Sequence, residues 1–463
     1  MNKLAKEGVT PDNNAAVPLM QALGPEMVPL NQRDYFFQEL GMEIPSSEGD
    51  YLILKDDFVR RLGEASESPP NDFDDMLETA IGRGWSVDEF PDLSEWIDKN
   101  EKPLETLSEG LKRDHFYLPV VRPSNSEIGD LLDANMAIPA ATRSITILLT
   151  ARATRSLQQG QVDNTLADLL TCHRLSTLIA NRQDTISFMI GGAQNAIVFQ
   201  AEEFLLNSSI ATAAQLDRYH RDCKSLTPFP TVIECVNEGE RYALLESVIR
   251  VTKNAYALGK AEQQDDSYLV PSTLDVNAVL RRANRYVDET VAALELEQYA
   301  EQIKEVEQLE YDILAAAAEV RTGDWRGYLD RGYANRVYGN LLLSNLLFSP
   351  DMLITAEGRV RSRQQLLSIG LALEIHRLQE GTFPETLDII SPRLPEEGLE
   401  DYFTGSPLVY KPAGKGYLLY GRGENQQDDE GRSFDDKPTP DQPYQGDDIV
   451  LKVEMSESFV DKK

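Results

Sequence analysis

The residues best suited to chemistry lie between Gly423 and Asp448, where Asp428-Asp429-Glu430, Asp435-Asp436, Asp441 and Asp447-Asp448 are interleaved with glycine and asparagine. Calcium takes about six to eight oxygens from carboxylates and carbonyls on a flexible loop, and this composition can supply them. The spacing is not that of a helix–loop–helix calcium site. A solvated, disordered acidic loop has the same makeup, so composition alone leaves both readings open.

Elsewhere the reactive residue types are scattered. His115, His173, His220 and His376 occur in no His-Glu-x-x-His or comparable spacing. His173, four residues after Leu169, reads as a core histidine, and His376 lies on the helix entering the tail. His220 and Cys223 stand at helical spacing, but a metal there lacks a third ligand. Cys172 falls within a helical pattern, whereas Cys223 and Cys235 could pair or stay as buried thiols. Gly191-Gly192 sits inside a helix, where glycine allows close packing. Arg281, Arg282 and Arg285 place a basic face on an acidic protein, as an anion site or as salt-bridge donors. Glu238 and Glu240 suit acid–base work only if they meet across a cleft. No nucleophile elbow, phosphate-binding loop or dinucleotide fingerprint occurs.

These side chains need elements to position them. The 463 residues are enough for two or three domains with a sizeable core. With 45 Lys and Arg against 77 Asp and Glu, the net charge is −32. That excess repels nucleic acid, which is excluded as a partner, and anionic membrane surfaces. No apolar run is long enough to span a bilayer, and no signal peptide opens the chain. The polar stretch Leu4 to Leu23, through Asn13-Asn14-Ala15-Ala16, reads like the region just after a membrane anchor. A membrane tether, if the protein has one, is expected to lie upstream of Met1 or to have been removed, with none in the chain itself.

Up to about Arg122, short helical pieces alternate with the breakers Pro45-Ser46-Ser47, Ser68-Pro69-Pro70-Asn71 and Phe90-Pro91. From Ile138 to Asn207 the helical signal is strongest. Ile145, Leu149, Ala153 and Leu157 recur every four residues, and Gln159-Gly160 ends that helix. A second helix runs from Val162 to about Ala180. Asn181 and Asp184 cap the junction to a third, lined by Ile186, Ile190, Ala193, Ile197, Ala201 and Phe204. Short polar turns between such helices require antiparallel packing. Arg241 to Leu258 and Val276 to Val320 continue as helices, the latter broken near Gln298, with a polar loop from Gly259 to Thr273 between them. Asp324-Trp325 to Leu347 adds one or two more, and Arg359 to Glu380 forms a long helix into the tail.

That tail carries a resemblance. Gly381-Thr382-Phe383-Pro384, Asp401-Tyr402-Phe403 with Gly405-Ser406-Pro407, the strands Leu408-Val409-Tyr410 and Tyr417-Leu418-Leu419-Tyr420, and the acidic loop follow one another. The order resembles the head of the major pseudopilin of type II secretion. Tyr402 stands where that family has proline, and Pro438, Pro440 and Pro443 lengthen the loop. The resemblance implies a calcium loop with Asp428, Asp447 and Asp448 as ligands. Without a prepilin helix, the chain is not expected to be a pilus subunit. The whole chain also resembles a group of uncharacterised envelope proteins of planctomycete-type bacteria. The matching pieces are Asn14-Ala15-Ala16, Trp96-Ile97 with Asn100, Asp275-Val276-Asn277 through Arg281-Arg282-Ala283-Asn284-Arg285 and Asp288, and Leu371 to Pro384. That resemblance implies a location rather than a reaction.

The expected fold is mainly α. An irregular antiparallel helical bundle, partly of tetratricopeptide-like hairpins, carries a small C-terminal α+β pseudopilin-like domain. The expected divisions are a mixed front region (1–135) packed on the bundle, the bundle (136–370), the α+β unit (371–455) and a disordered tail (456–463). The expected function is a non-enzymatic scaffold for protein–protein contact in the periplasm or cell envelope, with calcium stiffening the loop. The alternatives are an envelope hydrolase with a carboxylate-lined site in the helical domain, and a cytoplasmic helical adaptor.

Overall fold

The computed structural model describes residues 6–65, 73–121, 137–182, 184–258, 274–318, 329–346, 348–394, 398–434, 436 and 445–454. Short helices come first: α1 (Ala16–Leu23), α2 (Arg33–Leu40), α3 (Lys55–Ala65), α4 (Phe73–Gly82), α5 (Pro91–Lys99) and α6 (Glu101–Gly110). Two asparagines join them where a sheet would otherwise be needed. The Asn14 amide accepts the Tyr117 N–H at 2.8 Å and donates to the Tyr117 carbonyl at 2.9 Å. Asn100 accepts the Ile53 N–H at 2.8 Å and donates to its carbonyl at 3.2 Å, and Trp96 Nε1 donates to the same carbonyl at 2.7 Å. Each side-chain amide takes the part of a neighbouring strand's peptide group, so the buried backbone is satisfied. Asn14, Ala15 and Ala16 are buried, so the stretch expected to follow an anchor is part of the core.

Three long helices make the centre: α7 (Ala137–Gln158), α8 (Val162–Ala180) and α9 (Thr185–Ser208). In α7 the expected row Ile145, Leu149, Ala153 and Leu157 is buried, and so is a second row, Thr142, Thr146, Thr150 and Thr154. Buried threonine hydroxyls need partners, and Thr142 and Thr154 turn back onto carbonyls of their own helix, Pro139 O at 2.6 Å and Ala151 O at 3.0 Å. Gly160, at φ 75°, turns the chain from α7 into α8. Asp184 caps α9 by accepting the Ser187 N–H at 2.8 Å. Where α8 crosses α9, a Cβ on Gly191 would lie 2.7 Å from the Ser176 carbonyl oxygen, so glycine does permit the close approach.

The stripe expected to line α9 is rotated from the one that packs. Ile186 is 48% exposed and Ala193 is exposed, whereas Ser187, Gln194, Asn195 and Glu202 are buried. The inward face carries polar groups that find partners on α7, α8 and α10. Ala201 and Phe204 of the expected stripe are buried, beside Phe188, Val198 and Leu205, so the packed face overlaps the expected one and adds the polar residues to it.

The chain continues through α10 (Ala213–Lys224), a turn Val232–Glu234, a π-helical segment Cys235–Glu240 and α11 (Arg241–Leu258). Then come α12 (Val276–Leu294), α13 (Tyr299–Ala317), α14 (Arg331–Ser344) and α15 (Pro350–Glu380). Gln298 immediately precedes α13, where the break was expected. α15 starts well before Arg359 because Pro350 suits the first turn and Leu353 and Ile354 are buried. The expected loop from Gly259 to Thr273, the start at Asp324-Trp325 and the tail 456–463 lie outside the described residues.

β1 (Val409–Ala413), β2 (Gly416–Gly421) and β3 (Ile449–Val453) form an antiparallel sheet in the order β1-β2-β3, with Tyr410 opposite Leu419 and Leu419 opposite Leu451. It packs on α9 and α15; a Cβ on Gly370 would lie 2.5 Å from Leu451 Cδ2. One hydrophobic cluster includes Trp96, Leu149, Ile369 and Leu451, so the front region, the bundle and the sheet share it. The expected boundary at 370/371 falls inside α15. No helix among the described residues is long and apolar enough to cross a membrane.

Candidate cation site in the C-terminal loop

The acidic residues sit between β2 and β3, above α15. A Cβ at Gly423 would meet the Asp447 carbonyl oxygen at 2.0 Å, so glycine lets the two arms of the loop touch. The arms are stitched by carboxylates. Asp429 Oδ2 accepts the Asp447 N–H at 2.9 Å and the Asn425 side-chain amide at 3.0 Å. Asp448 donates its N–H to Arg432 O at 3.0 Å and accepts the Gly431 N–H on Oδ2 at 2.7 Å.

The three expected ligands have different surroundings. Asp428 is exposed; its Oδ1 accepts the Tyr420 hydroxyl and the Glu430 N–H, both at 3.0 Å, and Arg422 lies 3.8 Å from Oδ2. Burial is the largest single influence and opposes its charge, but the Glu430 N–H, Tyr420, Arg422 and Lys411 together hold its carboxyl below the ordinary value. Asp447 is committed on both oxygens, to Arg359 Nη2 at 2.9 Å and to the Asn425 N–H at 3.1 Å. Asp448 is 2% exposed, and its Oδ1 is buried with no hydrogen-bond partner. Burial pushes its carboxyl up to about 6, and the charges of Asp429 and Asp428 add to the shift while the Gly431 and Asp429 N–H groups oppose it.

An orphaned, buried carboxylate oxygen beside two further carboxylates is a donor set that suits a hard cation. Asp448 offers an unpartnered oxygen, whereas Asp428 has Oδ1 engaged and only Oδ2, 3.8 Å from Arg422, to offer. Asp447 does not fit that part, because Arg359 holds it. Among the described residues no three His, Cys, Asp or Glu side chains converge as a formed metal centre. A cation here would have to draw its ligands together. Asp435 and Asp441 lie outside the described residues, and Asp436 accepts the Ser433 N–H at 2.7 Å.

The sequence gives no local sign of Arg359, which reaches Asp447 from 88 positions away. Nor does it mark Asp429 as the residue that ties the loop's two ends. The tail motifs do contact one another. Gly381, at φ 87°, ends α15; Phe383 meets Tyr417 edge-on at 5.0 Å, and Tyr410 donates to Pro384 O at 2.9 Å. Asp401, 3% exposed, caps the following turn through the Thr404 N–H at 3.1 Å.

Four buried acids of the helical part tie together segments that are distant in the chain. Asp168 grips Arg152 with two bonds (2.6 and 2.9 Å), linking α8 to α7. Glu202 accepts from Tyr219 at 2.5 Å and lies 2.7 Å from His173 Nε2, linking α9, α10 and α8. Glu357 accepts the Val232 N–H at 2.7 Å and Glu240 the Thr185 N–H at 3.0 Å, so two glutamates cap helices in trans. Glu238 is exposed, whereas Glu240 is buried and committed to Thr185. His220 contacts Ser368 Oγ at 2.7 Å, and all three cysteines are free thiols. Burial raises each thiol's pKa, which keeps it protonated. Compared with known proteins, the chain matches no family model, no curated protein and no solved structure.

Proposed function

We propose that this protein is a non-enzymatic cell-envelope scaffold for protein–protein contact, with a pseudopilin-like C-terminal unit whose loop calcium stiffens. The succession of a long helix, a left-handed Gly381, an aromatic-proline turn and an antiparallel meander with the acidic loop between its last two strands supports the pseudopilin reading. The α7–α8 hairpin, turned at Gly160, supports the tetratricopeptide-type reading of that pair.

The observation that carries the calcium reading is the buried, unpartnered Oδ1 of Asp448. Asp448 and Asp428 would hold the ion together with loop carbonyls, while Asp447 stays with Arg359 as a latch. Bound calcium would order carboxylates that otherwise repel one another. An extracytoplasmic compartment, where calcium is plentiful, is consistent with this use.

The test is calcium titration by calorimetry, with thermal melts in calcium and in chelator. Saturable binding that raises the melting temperature and disappears in Asp448→Asn supports the proposal. Identical melts with no heat of binding would sink it.

A further inference from the structure

In a chain with 77 acidic residues, a surface arginine has abundant carboxylates with which to pair. Arg281, Arg282 and Arg285 nevertheless crowd together on α12. Residues three and four apart share a helix face, so Arg285 lies beside both of the others. Among the described residues no carboxylate comes within the 4.0 Å ion-pair distance of any of the three. The neighbouring pair, Arg241 with Asp288 at 2.8 Å, closes on itself, and Arg241 also donates to Asn284 Oδ1 at 3.2 Å.

Arg282 is half-buried, and its Nε is buried with no hydrogen-bond partner. Burial and the nearby Arg285 hold its guanidinium below the ordinary value, against a smaller opposing effect of Glu289. Arg281 and Arg285 are exposed. The cluster therefore combines mutual repulsion with a partly desolvated guanidinium, and an external anion held by the exposed groups offsets the charge of all three.

We propose that Arg281, Arg282 and Arg285 form a binding site for a compact, multiply charged oxyanion of the phosphate class, free or as the terminal group of a small ligand. Arginine forks match such oxygens in bidentate fashion. Compactness follows from the charge of the rest of the chain. At physiological salt the Debye length is about 8 Å, so a small anion held by three guanidiniums is screened from the more distant acidic surface. An extended acidic polymer would run beyond the cluster onto that surface and be repelled. The site is independent of the calcium reading.

The test uses the full chain in calcium-free buffer at constant ionic strength, titrated calorimetrically with inorganic phosphate and, separately, with glycerol phosphate. Saturable binding of either supports the site; the tighter of the two distinguishes a free ion from a terminal phosphate group. Arg282→Gln is expected to weaken binding by about tenfold or more. The double variant Arg281→Gln/Arg285→Gln, altered only at exposed positions, keeps the fold and should lose binding. An unchanged affinity in the double variant, or no binding by the wild-type chain, would overturn the proposal. So would binding of polyglutamate in place of both phosphates.

Discussion

Arg359 Nη2 on α15 lies 2.9 Å from Asp447 Oδ1, and the same guanidinium lies 3.5 Å from Glu424 at the other end of the loop. One helix side chain thus fastens both arms of the acidic loop to the bundle. Arg359→Gln should cost about 1–2 kcal/mol, as expected for a partly buried ion pair. It should also speed proteolysis within 422–448. Urea denaturation and limited proteolysis would check both, and a loop cut at the wild-type rate would refute the latch.

The buried carboxyl of Asp448 makes stability depend on pH in a definite direction. Its value rises from the ordinary 3.8 to about 6, so between those values the folded chain holds a proton that the unfolded chain has lost. Stability from this group is therefore lost as pH rises from about 4 to 6. In chelator, Asp448→Asn should flatten that decline and stabilise the protein at pH 7 by about 1–2 kcal/mol, allowing for residual solvent screening. In calcium the order should reverse, with the wild-type chain the more stable.

His173 and Glu202 predict a slope of the same sign, displaced to higher pH. Burial opposes the histidine's charge, but Glu202 outweighs it, and the imidazole's value lies above the ordinary 6.5. The pair's contribution is complete below 6.5 and is lost as pH rises through the folded value. Breaking a buried pair costs about 3–5 kcal/mol, so His173→Gln should do so at acidic pH. The gap to wild type should narrow on titration toward pH 8.5. A pH-independent gap would mean that the pair is neutral throughout.

The outer edge of β3 is closed by α9. Asn207 donates to Lys452 O at 3.0 Å and accepts the Glu454 N–H at 2.6 Å, and Glu203 accepts the Lys452 N–H at 3.2 Å. Asn207→Ala should cost about 1–3 kcal/mol and expose a strand edge open to intermolecular pairing. Chemical denaturation and concentration-dependent light scattering would register the two effects. Unchanged values in both would remove Asn207 from this role.

At the crossing of α8 and α9 the obstacle is backbone, which cannot swing aside. Gly191→Ala places a methyl 2.7 Å from Ser176 O and 2.8 Å from Ala180 Cβ. Overpacking of this kind costs about 1–3 kcal/mol. Gly192→Ala, whose nearest neighbour would be Val360 at 3.7 Å, is the matched control and should be close to neutral.

Most of the helices and all three strands were legible in the chain, because their signals are local; α10 and the first turns of α15 were not. Apolar period, Gly160 and Gly381 at the ends, Asp184 as a cap and the short apolar strands are all decided within a few residues. The sequence also located the acidic loop, since composition needs no fold to be read. Which acids share surroundings depends on contacts between distant segments. Asp447 and Asp448 are neighbours in the chain, yet one pairs with Arg359 and the other points an oxygen into a buried space without a partner. The face of α9 was settled in the same way, by His173 and Tyr219 receiving Glu202 from other helices. Burying a charge is favourable only when a partner is already in place, and those partners come from distant segments. Local pattern carries no trace of them.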